Sequence, residues 1–407
     1  MNRHELAMRN RALAEKRLSR RGPRGPLATL TSTPRRARAR RQPERILVLC
    51  PGGPDYALFA TPALDALRAA YPLAKIAACV GLDAEPILRH NDEIDALHVV
   101  PALEASLEGP SPARLGDRVE DLDAERYQVA LVMAPAHWIG ALLAARARIP
   151  RRLGLDDGGN AGDFLTDAIP RDPEAHAVTQ NLRLVEALVG APPTLDTSLR
   201  FLMTDALVAL AYRSALNELA GDPRPLVAID PGDGTRPADW RPEGWALVAD
   251  QLVLHHEANV VLFGDEAGAA QREAVANGMR FEPTVLEGSL DTLFTAALFA
   301  RCALVMGGHS GVLHLAVALD RPTVFLYGPH DPAEVGPWGD PARHRALRSP
   351  LLCAPCRLPD WPDDPLDSHP CVRDIDAYAV LDAALDLMNP ASPRADLSQA
   401  RRRSKDA

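Results

Sequence analysis

The sequence predicts an α/β protein made of two doubly wound, Rossmann-like domains that face a cleft. Three observations predict it. Short apolar runs of strand length alternate with helix-period runs along the body of the chain. Two such series are separated by the breaker Gly221-Asp222-Pro223-Arg224-Pro225. At 407 residues the chain has room for two or three domains and a large core. In sheets of this kind ligands sit at the carboxyl ends of the strands.

The elements follow in order. Residues 1–44 are rich in Arg, Ala and Pro and read as a basic, flexible arm. The N-terminal domain, residues 45–204, opens with a buried strand Ile46–Leu49, a Pro51–Pro54 loop and a helix started by Thr61 as N-cap with Pro62 in its first turn. Next come a strand Ile76–Val80, a helix near Glu85–His90, a strand near Ala96–Val100 and a long polar connection to Arg126. A strand Val129–Met133 and a helix from about His137 to Ala145 complete the readable part. Residues 205–225 form a linker, with a helical stretch near Asp205–Leu219 and then the breaker. The C-terminal domain, residues 226–389, reads as strand Leu226–Ile229, loop Asp230–Arg236, helix Pro242–His256, strand Val260–Phe263 and helix Ala267–Asn277. Helix Leu290–Arg301, strand Ala303–Met306, helix Ser310–Leu319 and strand Thr323–Leu326 follow. Residues 390–407 read as a second flexible tail.

Charge narrows the function. The whole chain carries a formal net charge of −9, but residues 1–44 carry +10, residues 45–389 carry −22 and residues 390–407 carry +3. An acidic body repels phosphate chains, so nucleic-acid binding by the core is excluded as a main function. The basic arm suits contact with anionic lipid headgroups, and a solvated tail is its plain alternative. Lys16, Lys75 and Lys405 are the only lysines, so the body holds one. Six cysteines in so long a chain do not make a disulfide framework, and no signal-peptide pattern is present, so a reducing cytoplasm is expected. The longest apolar run, Leu293 to Met306, is broken by Arg301, so no membrane span is expected.

The most informative segment runs from Met306 to Leu319. A strand ends in Gly307-Gly308, and a helix is expected to start at Ser310-Gly311, where free backbone N–H groups favour a phosphate or diphosphate. His314, one turn on, can bring an imidazole to the same anion. Thr235, with the backbone of Gly232–Gly234, forms a second strand-end loop toward the cleft. Glu266, after a strand, is placed to accept hydrogen bonds from ribose hydroxyls. Each has a plainer alternative as an ordinary turn or surface residue.

These residues carry a resemblance. Gly-His-Ser-Gly-Val-Leu-His-Leu-Ala-Val-Ala-Leu at 308–319, with Arg-Pro-Thr-Val-Phe-Leu-Tyr-Gly-Pro-His-Asp-Pro at 321–332 and Gly-Pro-Trp-Gly at 336–339, resembles the signature of the lipopolysaccharide heptosyltransferases, glycosyltransferase family 9. Asp230-Pro231-Gly232, Trp240-Arg241-Pro242-Glu243, Phe263-Gly264-Asp265-Glu266 and Thr61-Pro62-Ala63-Leu64 extend the match over about residues 45–390. The resemblance implies the GT-B fold and an inverting, metal-independent glycosyltransferase that moves a heptose or related sugar. Its donor would be a nucleoside diphosphate sugar resembling ADP-heptose, its acceptor a glycan, lipid-linked or protein group. It implies that Ser310, Gly311 and His314 hold the diphosphate and Glu266 the nucleoside.

Three positions depart from the family. Its aspartate base falls at Tyr56, with Asp55 one residue earlier, so Asp55 is the candidate base. Its lysine, two residues before the tryptophan, is Ala238, which leaves the Ser310-Gly311 helix end, His314, Arg236 and His309 as candidates to offset the diphosphate charge. The aspartate that contacts the donor sugar is His309 itself. These changes keep open an alternative of another class, a nucleotide-sugar-binding or assembly protein without turnover. Last, Cys353 and Cys356 form a C-x₂-C pair that, with Cys371 and His369, suits a structural zinc or iron, loop cysteines without metal being the alternative. No catalytic cofactor is expected. Asp121, Asp123, Asp374 and Asp376 imitate a metal-binding Asp-x-Asp but are read as surface carboxylates.

Overall fold

The computed structural model of the protein describes residues 42–103, 116–134, 138–158, 160–191, 196–203, 222–236, 238–286, 288, 290–357 and 369–388. Most of the basic arm, the linker helix near Asp205–Leu219 and the C-terminal tail lie outside the described residues.

Each domain is a six-stranded, all-parallel sheet. The first contains β1 (Arg45–Cys50), β2 (Lys75–Val80), β3 (Ala96–Val99), β4 (Val129–Val132), β5 (Arg151–Asp156) and β6 (Asp167–Pro170), in the order β3-β2-β1-β4-β5-β6. The second contains β7 (Leu226–Asp230), β8 (Asn259–Leu262), β9 (Thr284–Val285), β10 (Cys302–Gly308), β11 (Thr323–Tyr327) and β12 (His344–Arg348), in the order β12-β11-β10-β7-β8-β9. Read from its own first strand, each is the same doubly wound arrangement. Central strands such as β1 are apolar on both faces because helices cover both sides.

The first sheet's helices are α1 (Pro54–Ala70), α2 (Glu85–Leu88), α3 (Gly116–Ala124), α4 (Trp138–Arg146) and α5 (Ala177–Val189). The second sheet's are α6 (Pro242–His256), α7 (Ala269–Gly278), α8 (Thr292–Phe299), α9 (Leu313–Ala318), α10 (Pro332–Val335) and α11 (Ala377–Met388).

Three expectations need correction. Thr61 does not cap a helix: α1 begins at Pro54, with Gly53 as N-cap, and runs through Pro62. Proline has no N–H for the carbonyl of Leu58, four residues back. The Thr61 hydroxyl supplies the missing donor at 2.7 Å, so the helix continues. The polar connection to Arg126 contains α3, whose inward positions are few; Leu122 is its buried anchor. The helix expected from Ser310 is shorter, starting only at Leu313 and ending at Ala318. Edge strands β6 and β12 were unreadable because both carry charged residues and polar alternation.

The two domains share buried surface. Phe59 of α1 is fully buried, its ring edge-on to His176 at 4.9 Å and to His314 of α9 at 4.8 Å. His176, the N-cap of α5, accepts from Val178 N–H through Nδ1, so its Nε2–H donates to the Gly336 carbonyl at 3.0 Å. Trp338 Nε1 donates to the Thr197 carbonyl at 2.8 Å beside a cavity of about 360 Å³. Arg171 pairs with Glu334 at 2.5 Å. Burial of an aromatic of this size stabilises by about 1.5–3 kcal/mol, of which the contact with His314 across the domains is one part.

Candidate active site at the facing strand ends

Strand order reverses between β1 and β4 in one sheet and between β7 and β10 in the other. The crevices at those points open at the carboxyl ends, where the loops after β1, β7 and β10 meet.

On the N-terminal side, β1 runs into Pro51-Gly52-Gly53. Gly52 has φ +101°, and a Cβ there would lie 2.7 Å from the Tyr56 ring, so the turn that launches α1 needs glycine. Asp55 follows in the first turn of α1 and is only 8% exposed. Burial pushes its carboxyl up from 3.8 to about 6, while the backbone N–H groups of Tyr56 and of Asp55 itself pull the other way. Across the crevice, a Cβ placed on Gly311 would lie 3.3 Å from both the backbone N and Oδ1 of Asp55. Asp55 therefore touches the turn after β10.

That turn is tied to the end of β7. Asp230, the last residue of β7, accepts from Gly232 N–H at 3.1 Å and from the Ser310 hydroxyl at 3.4 Å. Burial raises its carboxyl above the usual range. Asp230 joins the two loops, a role the sequence signalled only through its place at a strand end before Pro-Gly. Gly232 and Gly234 both have φ +79°, and a Cβ on Gly232 would collide with the Asp239 carboxylate. Asp239 is buried, and its carboxyl is pushed up to about 6, first by burial and then by its hydrogen bond with Asp233. Arg236 lies against both, 3.2 Å from Asp233 Oδ2 and 3.7 Å from Asp239 Oδ1. Its positive charge is thus already offset. Thr235 is exposed, with its N–H and hydroxyl both turned to Asp233 Oδ1.

Behind the same turn sits a histidine group. The rings of His309 and His330 are 4.3 Å apart at 41°. Tyr327 lies 5.1 Å from His309, its ring tilted by 40°. His314 is fully buried between Phe59 and Phe325, neither ring nitrogen has a hydrogen-bond partner, and burial pushes it down to about 3. It is a neutral ring at physiological pH. Glu266 is exposed in the loop after β8. That loop packs on the Gly232 turn, since a Cβ on Gly268 would lie 2.8 Å from the Gly232 carbonyl oxygen. Ala238 is buried, its carbonyl 2.7 Å from where a Gly308 Cβ would stand.

The structure therefore gathers Asp55, Arg236, His309, Ser310 and Gly311 at one crevice, with Glu266 and Thr235 on its outer edge. His314 is set one layer deeper. The cysteines lie elsewhere, behind the end of β11. Cys353, Cys356 and Cys371 are all buried, and the Cys353 and Cys371 thiols are hydrogen-bonded to each other. His369 is also buried. Among the described residues no three His, Cys, Asp or Glu side chains are grouped to hold a metal ion. Asp123, near the end of α3, is paired with Arg148, which lies just before the amino end of β5. No helix among the described residues is long and apolar enough to cross a membrane.

The chain matches glycosyltransferase family 9 (heptosyltransferase) over residues 117–359. It is 28% identical over 313 residues to lipopolysaccharide heptosyltransferase 2 of Salmonella typhimurium, covering 74% of this chain and 87% of that one. The Escherichia coli K12 lipopolysaccharide heptosyltransferase 2 is 28% identical over 308 residues, with the same shares covered. Among solved structures, Escherichia coli ADP-heptose lipopolysaccharide heptosyltransferase II superposes with a TM-score of 0.65 at 23% identity over 84% of this chain and 98% of that one. An Escherichia coli heptosyltransferase with ADP gives a TM-score of 0.62 at 20% identity, over 84% and 99%. These two likenesses show the GT-B fold.

Proposed function

The chain belongs to glycosyltransferase family 9, the heptosyltransferases, and on that premise we propose that it transfers a heptose or related sugar with inversion and without a metal. The donor is a nucleoside diphosphate sugar resembling ADP-heptose, and the acceptor a glycan or lipid-linked sugar. One observation carries the proposal: a buried carboxylate, Asp55, stands in contact with Gly311, the centre of the donor-side turn, across the interdomain crevice.

Such a transfer needs a base at the acceptor oxygen and stabilisation of the departing diphosphate. The acceptor hydroxyl gives its proton to the Asp55 carboxylate as its oxygen bonds to the anomeric carbon. The bond from that carbon to the diphosphate oxygen breaks, and the electron pair leaves with the nucleoside diphosphate. A carboxylate that titrates near 6 is ionised at neutral pH yet more basic than an exposed one, which suits this task. Ser310 and the backbone at Gly311 hold the diphosphate, with Arg236 beside it, and Glu266 accepts from the ribose hydroxyls. The net charge of +10 on residues 1–44 supports a peripheral contact with anionic lipid, at about 1 kcal/mol per cation.

The competing reading, a nucleotide-sugar-binding protein without turnover, is favoured by the buried alanine at Ala238 and the offset charge of Arg236. One experiment separates them. The full chain is incubated with a panel of nucleotide sugars and lipopolysaccharide-core acceptors, and released nucleoside diphosphate is measured. Acceptor-dependent release from one donor is expected. Donor binding with no release under any pairing would favour the competing reading, and no binding of any nucleotide sugar would defeat both.

A further inference from the structure

His330 is absent from every role assigned so far, yet it is the nearest ring to His309. The pair stands at the ends of the adjacent strands β10 and β11, with His309 N–H donating to the Leu326 carbonyl at 3.0 Å. His309 Nε2 and His330 Nδ1 are buried and without a hydrogen-bond partner. Native proteins satisfy nearly all buried polar atoms, and one left open costs about 1–3 kcal/mol. Two open nitrogens in touching rings, beside the turn that bears Ser310 and Gly311, imply a ligand that completes them.

That ligand is anionic. The groups next to the pair are Arg236 from the loop after β7, His314 from α9 and Tyr327 from β11; the carboxyls nearby are engaged, Asp230 with Gly232 N–H and the Ser310 hydroxyl, Asp233 and Asp239 with Arg236, and Asp55 with the backbone N–H groups of its own turn. The neighbouring Asp331 is turned away to Arg348 and Arg357, 3.7 and 3.3 Å off. Burial, the second ring and the Arg236 charge together keep His309 and His330 neutral, His330 being pushed down to about 4. A bound dianion reverses those influences, since an opposite charge within hydrogen-bond reach favours the imidazolium.

We propose that His309 and His330 form a paired imidazole site for the diphosphate, which takes up a proton when the nucleotide binds and gives it back when the nucleotide leaves. The proposal rests on the donor-site reading above. It supplies the cation that Ala238 cannot, in a body whose one lysine, Lys75, is engaged elsewhere with Glu125. A proton-loaded site is also absent from the empty enzyme, so the unliganded protein avoids a buried, uncompensated charge.

The test is titration calorimetry of the full chain with ADP at pH 8, where the phosphates are already ionised, in two buffers of different ionisation enthalpy. Net uptake of up to one proton per ADP is expected, and ADP affinity should then fall as pH rises above 8, by at most about tenfold per pH unit. His309→Gln with His330→Gln should lose that uptake and weaken ADP binding, with circular dichroism reporting whether the variant folds. The wild-type measurement stands alone if it does not. ADP binding without proton uptake overturns the pair and leaves the donor site standing. Uptake that persists in a folded double variant also overturns it, by placing the proton elsewhere. No heat with ADP at any pH defeats the donor-site reading and the pair with it.

Discussion

Replacing Asp55 with Asn separates the two properties that burial gives this carboxylate. Its titration is raised from 3.8 to about 6, so at pH 8 the folded protein bears an ionised group that the unfolded chain would ionise more easily. Each pH unit is worth about 1.4 kcal/mol, and the difference therefore destabilises the native state by about 3 kcal/mol at pH 8. The sign follows from linkage: the group favours folding below about pH 4, and that benefit is lost as pH rises through about 6. Asn keeps an oxygen for the backbone N–H groups of residues 55 and 56 and removes the charge. Its new NH₂ group is buried without an assigned partner, which takes back about 1 kcal/mol. The net expectation is a gain of about 1–2 kcal/mol at pH 8, in urea unfolding followed by circular dichroism. At pH 4 the gain should disappear. A variant of unchanged or lower stability at pH 8 would refute the reasoning, because Asp55 would then be a structural cap and its burial no strain.

Three further outcomes follow from the same geometry. Thr61→Val removes the hydroxyl that donates to the Leu58 carbonyl and accepts from Arg200 N–H at 3.0 Å; unfolding in urea should show a loss of about 2–4 kcal/mol, and a loss below about 0.5 would contradict the bridging role. Gly232→Ala places a Cβ where φ is +79° and the Asp239 carboxylate stands. It should reduce ADP affinity at least about tenfold, measured by calorimetry, whereas unchanged affinity would detach that loop from the nucleotide. With donor saturating, the pH profile of kcat/KM for the acceptor should rise about tenfold per unit up to a point near 6 and level off above it. An acid limb placed near 4 would assign the base to an exposed carboxylate instead.

Much of the fold was legible because its central strands are unbroken apolar runs. Ile46–Leu49 and Leu226–Ile229 can only be buried on both faces, and their alternation with helices dictates a parallel sheet. The misreadings are local substitutions of one donor for another. Thr61-Pro62 carries a helix-start signal, but the Thr61 hydroxyl takes over the bond that Pro62 cannot make, so the signal marks a helix interior. The turn Ser310–Val312 carries a helix-start composition without being helical, which shortens α9 to six residues. At the crevice, residue types at strand ends could be read one by one. Contacts between distant positions could not: Asp55 against Gly311 depends on how the two sheets meet, and Asp230 bonded to Ser310 and the ring of His309 against His330 depend on strand order within the second sheet. Arg236 shows the same limit, since its charge is visible in sequence and its neutralisation by Asp233 and Asp239 is not.

The account turns on Asp55 acting on an acceptor while the opposite turn holds the donor. Its most direct measurement is acceptor-dependent release of ADP from ADP-heptose at pH 8 by the wild type and by Asp55→Asn, with ADP affinity measured on both. The account predicts a fall in kcat of about 10²–10⁴-fold in Asp55→Asn, with ADP affinity kept within about threefold. Wild-type kcat in the Asn variant would contradict it, and so would a loss of ADP binding as large as the loss of turnover.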